Sequence, residues 1–419
     1  MTTSIATAAV STPTATRPAK AAPKAAAPAP APAIAVVPTP DPIAVAARGL
    51  LHDIEVELNG TFAERQREVR GIITAIVAGE HILLLGPAGT GKSALAQTVC
   101  AAIDGGQYFE WLLTRFSTPE ELFGPVSLDG LKHDKFRRIT TGKLPEAHVA
   151  FLDEIFKANS AVLNSLLTAL NERAFDNDGG RIAIPLETCV GASNELPEGP
   201  ELAALFDRFL LRFWTTYTRG APAFERLLCG DEPNITTRIT LTEIASAQDD
   251  AAKVAIPTAT VDELFKLRME LEQKGIVISD RRWRKAAKIL RATAWLEGAT
   301  EVTPDTFPVL AHVLWDQVQQ QQEIAGMVAR YTSTELAEAQ EIHDKIVELC
   351  QELPKDDDPD FAKRVTGVTR EMKQAQTRIA AQAKAATKPA IKAKIEAIAA
   401  ELDRRYQTIR ERTVKAMGL

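Results

Sequence analysis

The pattern of apolar residues changes along residues 82–103, from a continuous run to a spacing typical of a helix. Ile82–Leu85 is an unbroken apolar run, which predicts a buried strand of a parallel sheet. A glycine-rich segment follows directly, and Leu95, Val99 and Ile103 then recur at helical spacing. The pattern predicts a strand, a tight loop and a helix in succession.

Two further short apolar runs extend this pattern. Val149–Leu152 ends in two acids, and Thr188–Ser193 is a second strand-like run. Between them, Asn159–Arg173 reads as a helix that Asn159 or Ser160 can cap. Its apolar face consists of Val162, Leu163, Leu166, Leu167 and Leu170. We therefore predict an α/β domain over about 45–220, with a parallel sheet flanked by helices.

The C-terminal part has helical patterning. One helix is predicted over about 316–353, and Pro389 separates two more because proline cannot continue a helix without losing a hydrogen bond. The apolar stripes step by three and four through Val365, Val368, Met372, Ala375 and Ile379, and through Ile391, Ile395, Ile398, Leu402 and Ile409. We predict an α-helical module of about three helices, which we bound at 326–419.

The N-terminal 44 residues have a different composition. Residues 1–42 contain 14 Ala and 9 Pro and almost no large apolar side chains. Such a segment cannot offset its ordering entropy, so we predict a disordered tail over 1–44. It lacks the apolar core of a signal peptide, and a single arginine is weak support for a transit peptide.

Charge divides the 419 residues into three parts. The net charge of −6 is made of +2 in 1–42, −17 in 43–362 and +9 in 363–419. The acidic body argues against binding nucleic acid by charge. The basic end is either a solvated face or a docking surface for an acidic partner or nucleic acid. Four scattered cysteines and short apolar runs indicate a cytoplasmic protein without a membrane span.

The glycine-rich segment fits the phosphate-binding pattern GxxxxGK[ST]. Its strand–loop–helix context is the one this motif requires. Backbone N–H groups and the helix N-terminus would bind phosphate oxygens, Lys92 would reach the β and γ phosphates, and Ser93 would ligate Mg²⁺. The predicted nucleotide-binding residues are Gly86, Pro87, Ala88, Gly89, Thr90, Gly91, Lys92, Ser93, Ala94 and Asp153.

Two adjacent acids and a later amide complete the predicted chemistry. Asp153 would hold Mg²⁺ through water, and Glu154 would orient and deprotonate the attacking water. Asn194 follows the third strand and could hydrogen-bond both the γ-phosphate and that water. The alternatives are a solvated acidic turn for the two acids and an ordinary turn residue for Asn194.

Together these motifs resemble the nucleotide-binding core of AAA+ ATPases, with Asn194 as sensor 1. Narrower similarity is to the MoxR family, and within it to the RavA branch, over roughly residues 50–330. It is carried by the segments Phe116–Pro125, Leu144–Ala147, Phe151–Ile155, Leu163–Arg173, Ala192–Pro197 and Ser279–Trp283.

The resemblance implies features that the residues alone do not establish. It implies a homo-hexameric ring with ATP between subunits, and a role in maturing or remodelling a protein client. It implies a partner with a von Willebrand factor A domain. It also implies a hairpin at about 124–142 facing the ring pore and a second hairpin turning at Asp176–Gly180.

Arginines complete the resemblance. Arg208 or Arg212 would reach the γ-phosphate of the neighbouring subunit, unless both form salt bridges to Asp207 or Glu201. Arg281 or Arg282 occupies the sensor 2 position, with the register favouring Arg281. That arginine would lie over the nucleotide of its own subunit.

The family pattern gives the bounds of the lid and the connector, and the chain departs from that pattern in its C-terminal helices. A helical lid is expected at 255–325, after a connector of little periodicity at 221–254. The RavA branch carries a β-rich decarboxylase-docking domain within its C-terminal helices, whereas the helices of this chain are continuous. A decarboxylase partner is therefore not expected.

The sequence thus predicts a Mg²⁺-dependent ATPase that acts on a protein client. One alternative is a nucleotide-gated scaffold with negligible turnover, which would not need Glu154, Asn194 and the arginines together. The other is a nucleic-acid motor, which the acidic body disfavours.

Overall fold

A computed structural model describes residues 41–197, 199–229, 235–331, 334–351, 361–386 and 389–416. The predicted disordered tail lies outside these residues up to position 40. Within the described ranges, every helix is too short or too polar to cross a bilayer.

The strands, numbered in chain order, are β1 His81–Leu85, β2 Ile103–Asp104, β3 Tyr108–Leu112, β4 Val149–Asp153, β5 Ala174–Asn177, β6 Gly180–Ala183, β7 Thr188–Ser193, β8 Phe209–Trp214 and β9 Ile239–Thr240. The helices are α1 Pro42–Thr61, α2 Gln66–Ala78, α3 Lys92–Ala101, α4 Pro119–Phe123, α5 Leu128–Lys132, α6 Ser160–Glu172, α7 Pro200–Phe206, α8 Ala221–Cys229, α9 Leu241–Ala252, α10 Thr258–Gln273, α11 Asp280–Leu296, α12 Val318–Ala329, α13 Thr334–Gln351, α14 Phe361–Ala385 and α15 Pro389–Ala416.

Five strands form a parallel sheet in the order β3-β4-β7-β1-β8. All five residues of β1 are buried, which explains why its sequence is a continuous apolar run. Helices α1, α2, α3 and α6 contribute buried side chains to the core around this sheet. The predicted α/β fold, with a parallel sheet flanked by helices, is confirmed.

The predicted N-terminal cap of helix α6 is confirmed. The Asn159 side-chain oxygen accepts hydrogen bonds from the backbone N–H groups of Ala161 and Val162, each at 3.1 Å. Val162 and Leu166 are fully buried. The helix therefore packs the apolar face that the sequence predicted.

The structure corrects the first domain boundaries. Helix α1 begins at Pro42, within the predicted tail, where Asp41 caps it and Ala44 is buried in the core. The predicted connector 221–254 contains α8, β9 and α9. Thr240 and Glu243 form a capping box at the start of α9, and its buried residues pack into the main core. Alanines and polar residues dominate α9, so its periodicity is weak in the sequence.

The boundary between lid and C-terminal module also changes. The predicted helix 316–353 is divided into α12 and α13. Ile324, Met327 and Val328 of α12 join the main core, whereas the residues from Leu336 onward form a separate core. Helix α12 therefore belongs with the lid, and the boundary at 325/326 cuts through it.

The C-terminal prediction of three helices is confirmed in α13, α14 and α15. Pro389 is the first residue of α15, and both predicted apolar stripes contribute buried residues to the second core. The turn predicted at 354–359 lies outside the described residues. The described part of 334–416 contains helices and no strand.

Two hairpin-like segments are joined to each other. Strands β5 and β6 pair antiparallel, which confirms the hairpin expected around Asp176–Gly180. The segment 124–142 folds as the short helix α5, closed by one antiparallel bridge between Val126 and Arg138. The Arg138 N–H donates to Asn177 Oδ1 at 2.7 Å, and the Asp178 N–H donates to the Phe136 carbonyl at 2.9 Å. The two segments form one projection.

Candidate nucleotide-binding site

The glycine-rich loop Gly86–Ser93 connects the carboxyl end of β1 to α3. A Cβ atom at Gly86 would lie 2.0 Å from the Thr215 carbonyl oxygen, and φ there is 139°, so the position requires glycine. Gly91, at φ 80°, precedes the first turn of α3. The loop therefore presents the main chain and the helix N-terminus on one side, as phosphate binding requires.

Lys92 lies inside this loop. Its Nζ donates to the carbonyl oxygens of Gly86 at 2.7 Å and Pro87 at 2.9 Å. Burial lowers the pKa of Lys92, while the carboxylates of Asp153 and Glu154 act in the opposite direction. The lysine cation is thus held by the loop carbonyls, within electrostatic range of the acid pair.

The acid pair lies at the end of β4. Glu154 has φ 50° and ψ 44°, a left-handed conformation that is uncommon outside glycine, and its N–H donates to Asp153 Oδ1 at 2.9 Å. Asn194 follows the neighbouring strand β7, and its Nδ2 donates to Glu154 Oε1 at 2.7 Å. Lys157 Nζ lies 3.3 Å from Glu154 Oε2. The carboxylate is held from both sides.

The predicted site residues thus meet at one edge of the sheet. Parallel strands β4, β7 and β1 end at the same edge, which brings Asp153, Glu154, Asn194 and Lys92 together. Ser93 lies in the first turn of α3 at that edge. Their catalytic roles stay predictions.

Two residues of this site carry no assignment from the sequence. Arg65 is buried, and it donates to the Thr90 carbonyl at 3.1 Å and the Thr216 carbonyl at 2.7 Å, so it supports the phosphate loop from behind. No local pattern indicates Arg65, because its contacts are distant in sequence. Lys157 could have been found, since it lies one helical turn after Glu154.

The structure separates Arg212 from the role predicted for it. Its side chain is fully buried and donates to the carbonyls of Phe206 and Phe209, both at 3.0 Å, to the Trp315 carbonyl, and to Asp316 Oδ1 at 2.8 Å. Burial lowers its pKa to about 9. Arg212 joins β8 to the segment leading into α12, and it is not free to contact a neighbouring subunit.

Arg281 does not lie over the nucleotide site of its own chain, which corrects the sensor 2 expectation. Its guanidinium donates to Asn171 Oδ1 at the end of α6. One turn later, Lys285 pairs with Glu80 at 2.6 Å, and Glu80 directly precedes β1. The phosphate loop follows the other end of β1, roughly 16 Å away at the rise of a five-residue strand.

Arg282, the alternative to Arg281, is structural. It is buried, and it donates to the Val313 carbonyl at 2.6 Å and to Asp207 Oδ1 at 3.0 Å. Burial lowers its pKa. Like Arg212, it attaches the lid to the core.

Arg208 and Arg281 form a cationic pair with little compensation. Burial lowers the pKa of Arg208, and the nearby Arg281 cation lowers it further. Arg208 reaches Asp207 Oδ2 only at 3.6 Å, and its Nε has no hydrogen-bond partner within the part of the chain that the structure describes. Since the other oxygen of Asp207 is bound to Arg282, this pair could accept an additional anion.

The comparisons with known proteins agree with this geometry. Residues 49–250 match the MoxR domain of MoxR–vWA–β-propeller ternary systems, and residues 259–328 match an AAA lid domain. Two uncharacterized proteins of Methanocaldococcus jannaschii are similar. One is 39% identical over 316 residues, covering 73% of this chain and 83% of that protein. The other is 41% identical over 270 residues, covering 64% and 70%.

A solved structure supports the fold. A candidate ATPase from Cytophaga hutchinsonii superimposes with a TM-score of 0.58 at 16% identity, covering 70% of this chain and 96% of that one. The identity is too low to transfer more than the fold. Taken together with the two domain matches, the phosphate loop and the acid pair, these similarities show that the chain belongs to the MoxR family of AAA+ ATPases.

Proposed function

We propose that this protein is a Mg²⁺-dependent ATPase that couples hydrolysis to remodelling, maturation or activation of a protein client. The observation that carries the proposal is the position of Glu154, which contacts Asn194 at 2.7 Å and lies within electrostatic range of the Lys92 cation. A scaffold that only bound nucleotide would not need a carboxylate so placed.

The donor set at this edge fits ATP with Mg²⁺. The Ser93 hydroxyl and the Asp153 carboxylate are hard oxygen donors, and Mg²⁺ uses few protein ligands together with waters and phosphate oxygens. The described residues contain no group of three or more His, Cys, Asp and Glu side chains suited to a metal. Bound Mg²⁺ would neutralise developing charge on the β and γ phosphates.

The chain's own residues then divide the chemistry. Glu154 would accept a proton from the attacking water as the new bond to the γ-phosphorus forms, and the bond to ADP breaks. Asn194 would hydrogen-bond both the γ-phosphate and the attacking water, and Lys92 would stabilise charge on the departing and transferred phosphates. Asn194 must exchange its hydrogen bond to Glu154 for these partners when nucleotide binds.

The arginine pair supports a ring. Because Arg281 lies at the far end of β1 from its own phosphate loop, its anion would come from another copy of the chain. We infer that Arg208 and Arg281 act together on the γ-phosphate of the neighbouring subunit, and that six subunits close the ring, as the resemblance implied.

The proposed partner follows from the name of the matched domain. That domain is named for systems that contain a vWA protein and a β-propeller, so we propose a vWA-domain partner.

The projection formed by 124–142 and β5–β6 is the proposed client-contacting surface. It carries exposed Leu128, Leu131, Phe136, Ile139 and Ile182. Placement in the RavA branch and in the cytoplasm stay predictions.

Turnover of Glu154→Gln tests the proposal. Removal of the base should reduce ATP hydrolysis by at least about 100-fold while ADP still binds. Glu301→Gln, a change of the same kind on an exposed lid residue, should hydrolyse ATP at the unmodified rate. Equal measurable rates for Glu154→Gln and the unmodified chain would contradict the role of Glu154, and rates at background for both would contradict an ATPase. Stimulation by DNA or RNA would favour a nucleic-acid motor.

A further inference from the structure

Helix α10 of the lid has an apolar face that the described residues leave exposed. Val261, Phe265 and Met269 recur at every fourth position and are 49%, 60% and 38% exposed. Val277, just beyond the helix, is 73% exposed. Single exposed apolar residues are ordinary, but a contiguous stripe indicates a surface that another molecule covers.

A second uncovered apolar face lies on α8. Phe224, Leu227 and Leu228 share one side of this helix and are 55%, 65% and 67% exposed. The two faces belong to different elements, α8 before the lid and α10 within it.

The α10 face lies beside the arginine pair. Arg268, one turn from Phe265, donates to Asp280 Oδ1 at 3.0 Å, and Asp280 immediately precedes Arg281. The stripe and the uncompensated guanidinium of Arg281 therefore occupy one edge of the subunit.

The α8 face lies beside the nucleotide site. The N–H groups of Arg219 and Gly220, which lead into α8, donate to the Glu64 carboxylate at 2.9 and 2.8 Å. The next residue, Arg65, supports the phosphate loop through Thr90. The start of α8 is thus tied to the back of the phosphate loop.

We propose that the α10 face of one copy packs on the α8 face of the next copy. This rests on the proposed function, because it assumes that the arginine pair serves a neighbouring nucleotide. If Arg208 and Arg281 of one copy reach the phosphate loop of the next copy, the α10 face beside them comes close to α8 of that next copy. Two different patches of the same chain make a head-to-tail contact, which closes into a ring when the rotation permits.

Sedimentation of full-length variants tests the contact. All are made in the Glu154→Gln background with saturating ATP, so that hydrolysis does not reset the assembly. Phe265→Glu on α10 and Leu228→Glu on α8 should each weaken association on the order of 100-fold, because a charge would enter an apolar contact. Ile43→Glu, at a 50% exposed apolar position on α1, should assemble like the Glu154→Gln protein.

A mixture gives the sharper result. Phe265→Glu protein retains an intact α8 face and Leu228→Glu protein retains an intact α10 face. Mixed in equal amounts, they should form a dimer and no ring, while each alone stays monomeric. Circular dichroism should show unchanged helix content, and the milder Phe265→Ser should weaken assembly in the same direction.

Each failure has a distinct meaning. If the Glu154→Gln protein forms rings and both glutamate variants form them equally well, the proposed contact is overturned while the ATPase proposal stands. If the Glu154→Gln protein remains monomeric with ATP, the head-to-tail ring itself is wrong. Rings that form without these faces but lose binding of a vWA protein would assign the faces to that partner and overturn the proposal.

Discussion

Asn194 donates its side-chain amide to the carboxylate of Glu154 at 2.7 Å, and this contact joins the ends of β7 and β4. It couples the residue expected to sense the γ-phosphate with the residue expected to activate water. Replacement of Asn194 by alanine should therefore lower the turnover number by about 100-fold, the loss seen when one positioned polar group is removed from a transition state.

The Asn194→Ala measurement needs binding data beside it. The dissociation constant for ADP, measured by calorimetry, should change by less than about threefold, since ADP lacks the γ-phosphate. Asn164→Ala, on the exposed side of α6, is the matched control and should keep full turnover. Unchanged turnover in Asn194→Ala would show that its contact with Glu154 is only structural.

Replacement of Arg65 by methionine should weaken nucleotide binding, although Arg65 is not one of the predicted nucleotide-binding residues. The carbonyls of Thr90 and Thr216 would lose a buried donor, and the phosphate loop would lose its support. We expect the dissociation constant for ADP to rise about tenfold and the free energy of unfolding to fall by about 2 kcal/mol. Arg67→Met, at an exposed position two residues on, should change neither, and equal effects in both variants would contradict the role of Arg65.

An arginine acting between subunits predicts rescue in mixed rings. Arg208→Ala and Lys92→Ala proteins should each be inactive, since loss of such an arginine lowers turnover on the order of 1000-fold. Mixed together, they should recover part of the activity, because some interfaces then combine an intact arginine with an intact phosphate loop. The measurement is ATP hydrolysis at several mixing ratios, and no recovery in rings shown to be mixed would contradict the assignment.

Arg212→Met serves as the contrast. Because Arg212 is bound within its own chain, its loss should lower the free energy of unfolding by about 3 kcal/mol, as expected when a buried charged network is broken. Arg208→Ala should leave that free energy within about 1 kcal/mol of the unmodified value, since the ion pair of Arg208 with Asp207 is long, at 3.6 Å.

Stability should fall as the pH falls from about 6.5 to 4. His81 is buried, with Nδ1 accepting from the Cys189 N–H and Nε2–H donating to the Leu170 carbonyl, and burial lowers its pKa to about 4. The unfolded chain, with an ordinary pKa near 6.5, takes up the proton first, so protonation favours unfolding. The loss from His81 at pH 4 should be on the order of 3 kcal/mol.

Chemical unfolding at several pH values measures this effect. His81→Gln should show a shallower loss of stability between pH 6.5 and 4 than the unmodified chain. His52→Gln, at an exposed position, should retain the full slope. Identical slopes for His81→Gln and the unmodified chain would contradict the assignment. His312, whose pKa burial also lowers to about 4, should account for a similar part of the remaining loss.

Much of the site could be predicted because its signals are local. The phosphate loop needs particular residues within eight positions, and Asp153 and Glu154 are adjacent at the end of an apolar strand. The capping of α6 by Asn159 and the break at Pro389 are likewise properties of neighbouring residues. Helix α9 was missed because alanines and acids weaken its apolar stripe, and its packing against α1, α2 and α11 is what buries it.

The arginines show what local pattern cannot decide. Arg208 and Arg212 are four residues apart, and Arg281 and Arg282 are adjacent. Sequence spacing therefore gives no reason to assign different roles to the two members of each pair. In the structure, Arg212 and Arg282 are buried as supports between core and lid, whereas Arg208 and Arg281 are left near each other with too little negative charge. Burial depends on how the lid packs, which involves residues 103 positions from Arg212 and 75 positions from Arg282.

The sequence by itself determined the elements of the candidate nucleotide site, since the strand, the phosphate loop, the helix and the acid pair each consist of consecutive residues. Only the tertiary structure decided which arginines are available, that Arg281 lies toward the opposite end of β1 from the phosphate loop, and that Arg65 supports this loop. Those outcomes follow from contacts between distant segments, whose free energy depends on burial and on mutual geometry rather than on any residue's neighbours in the chain.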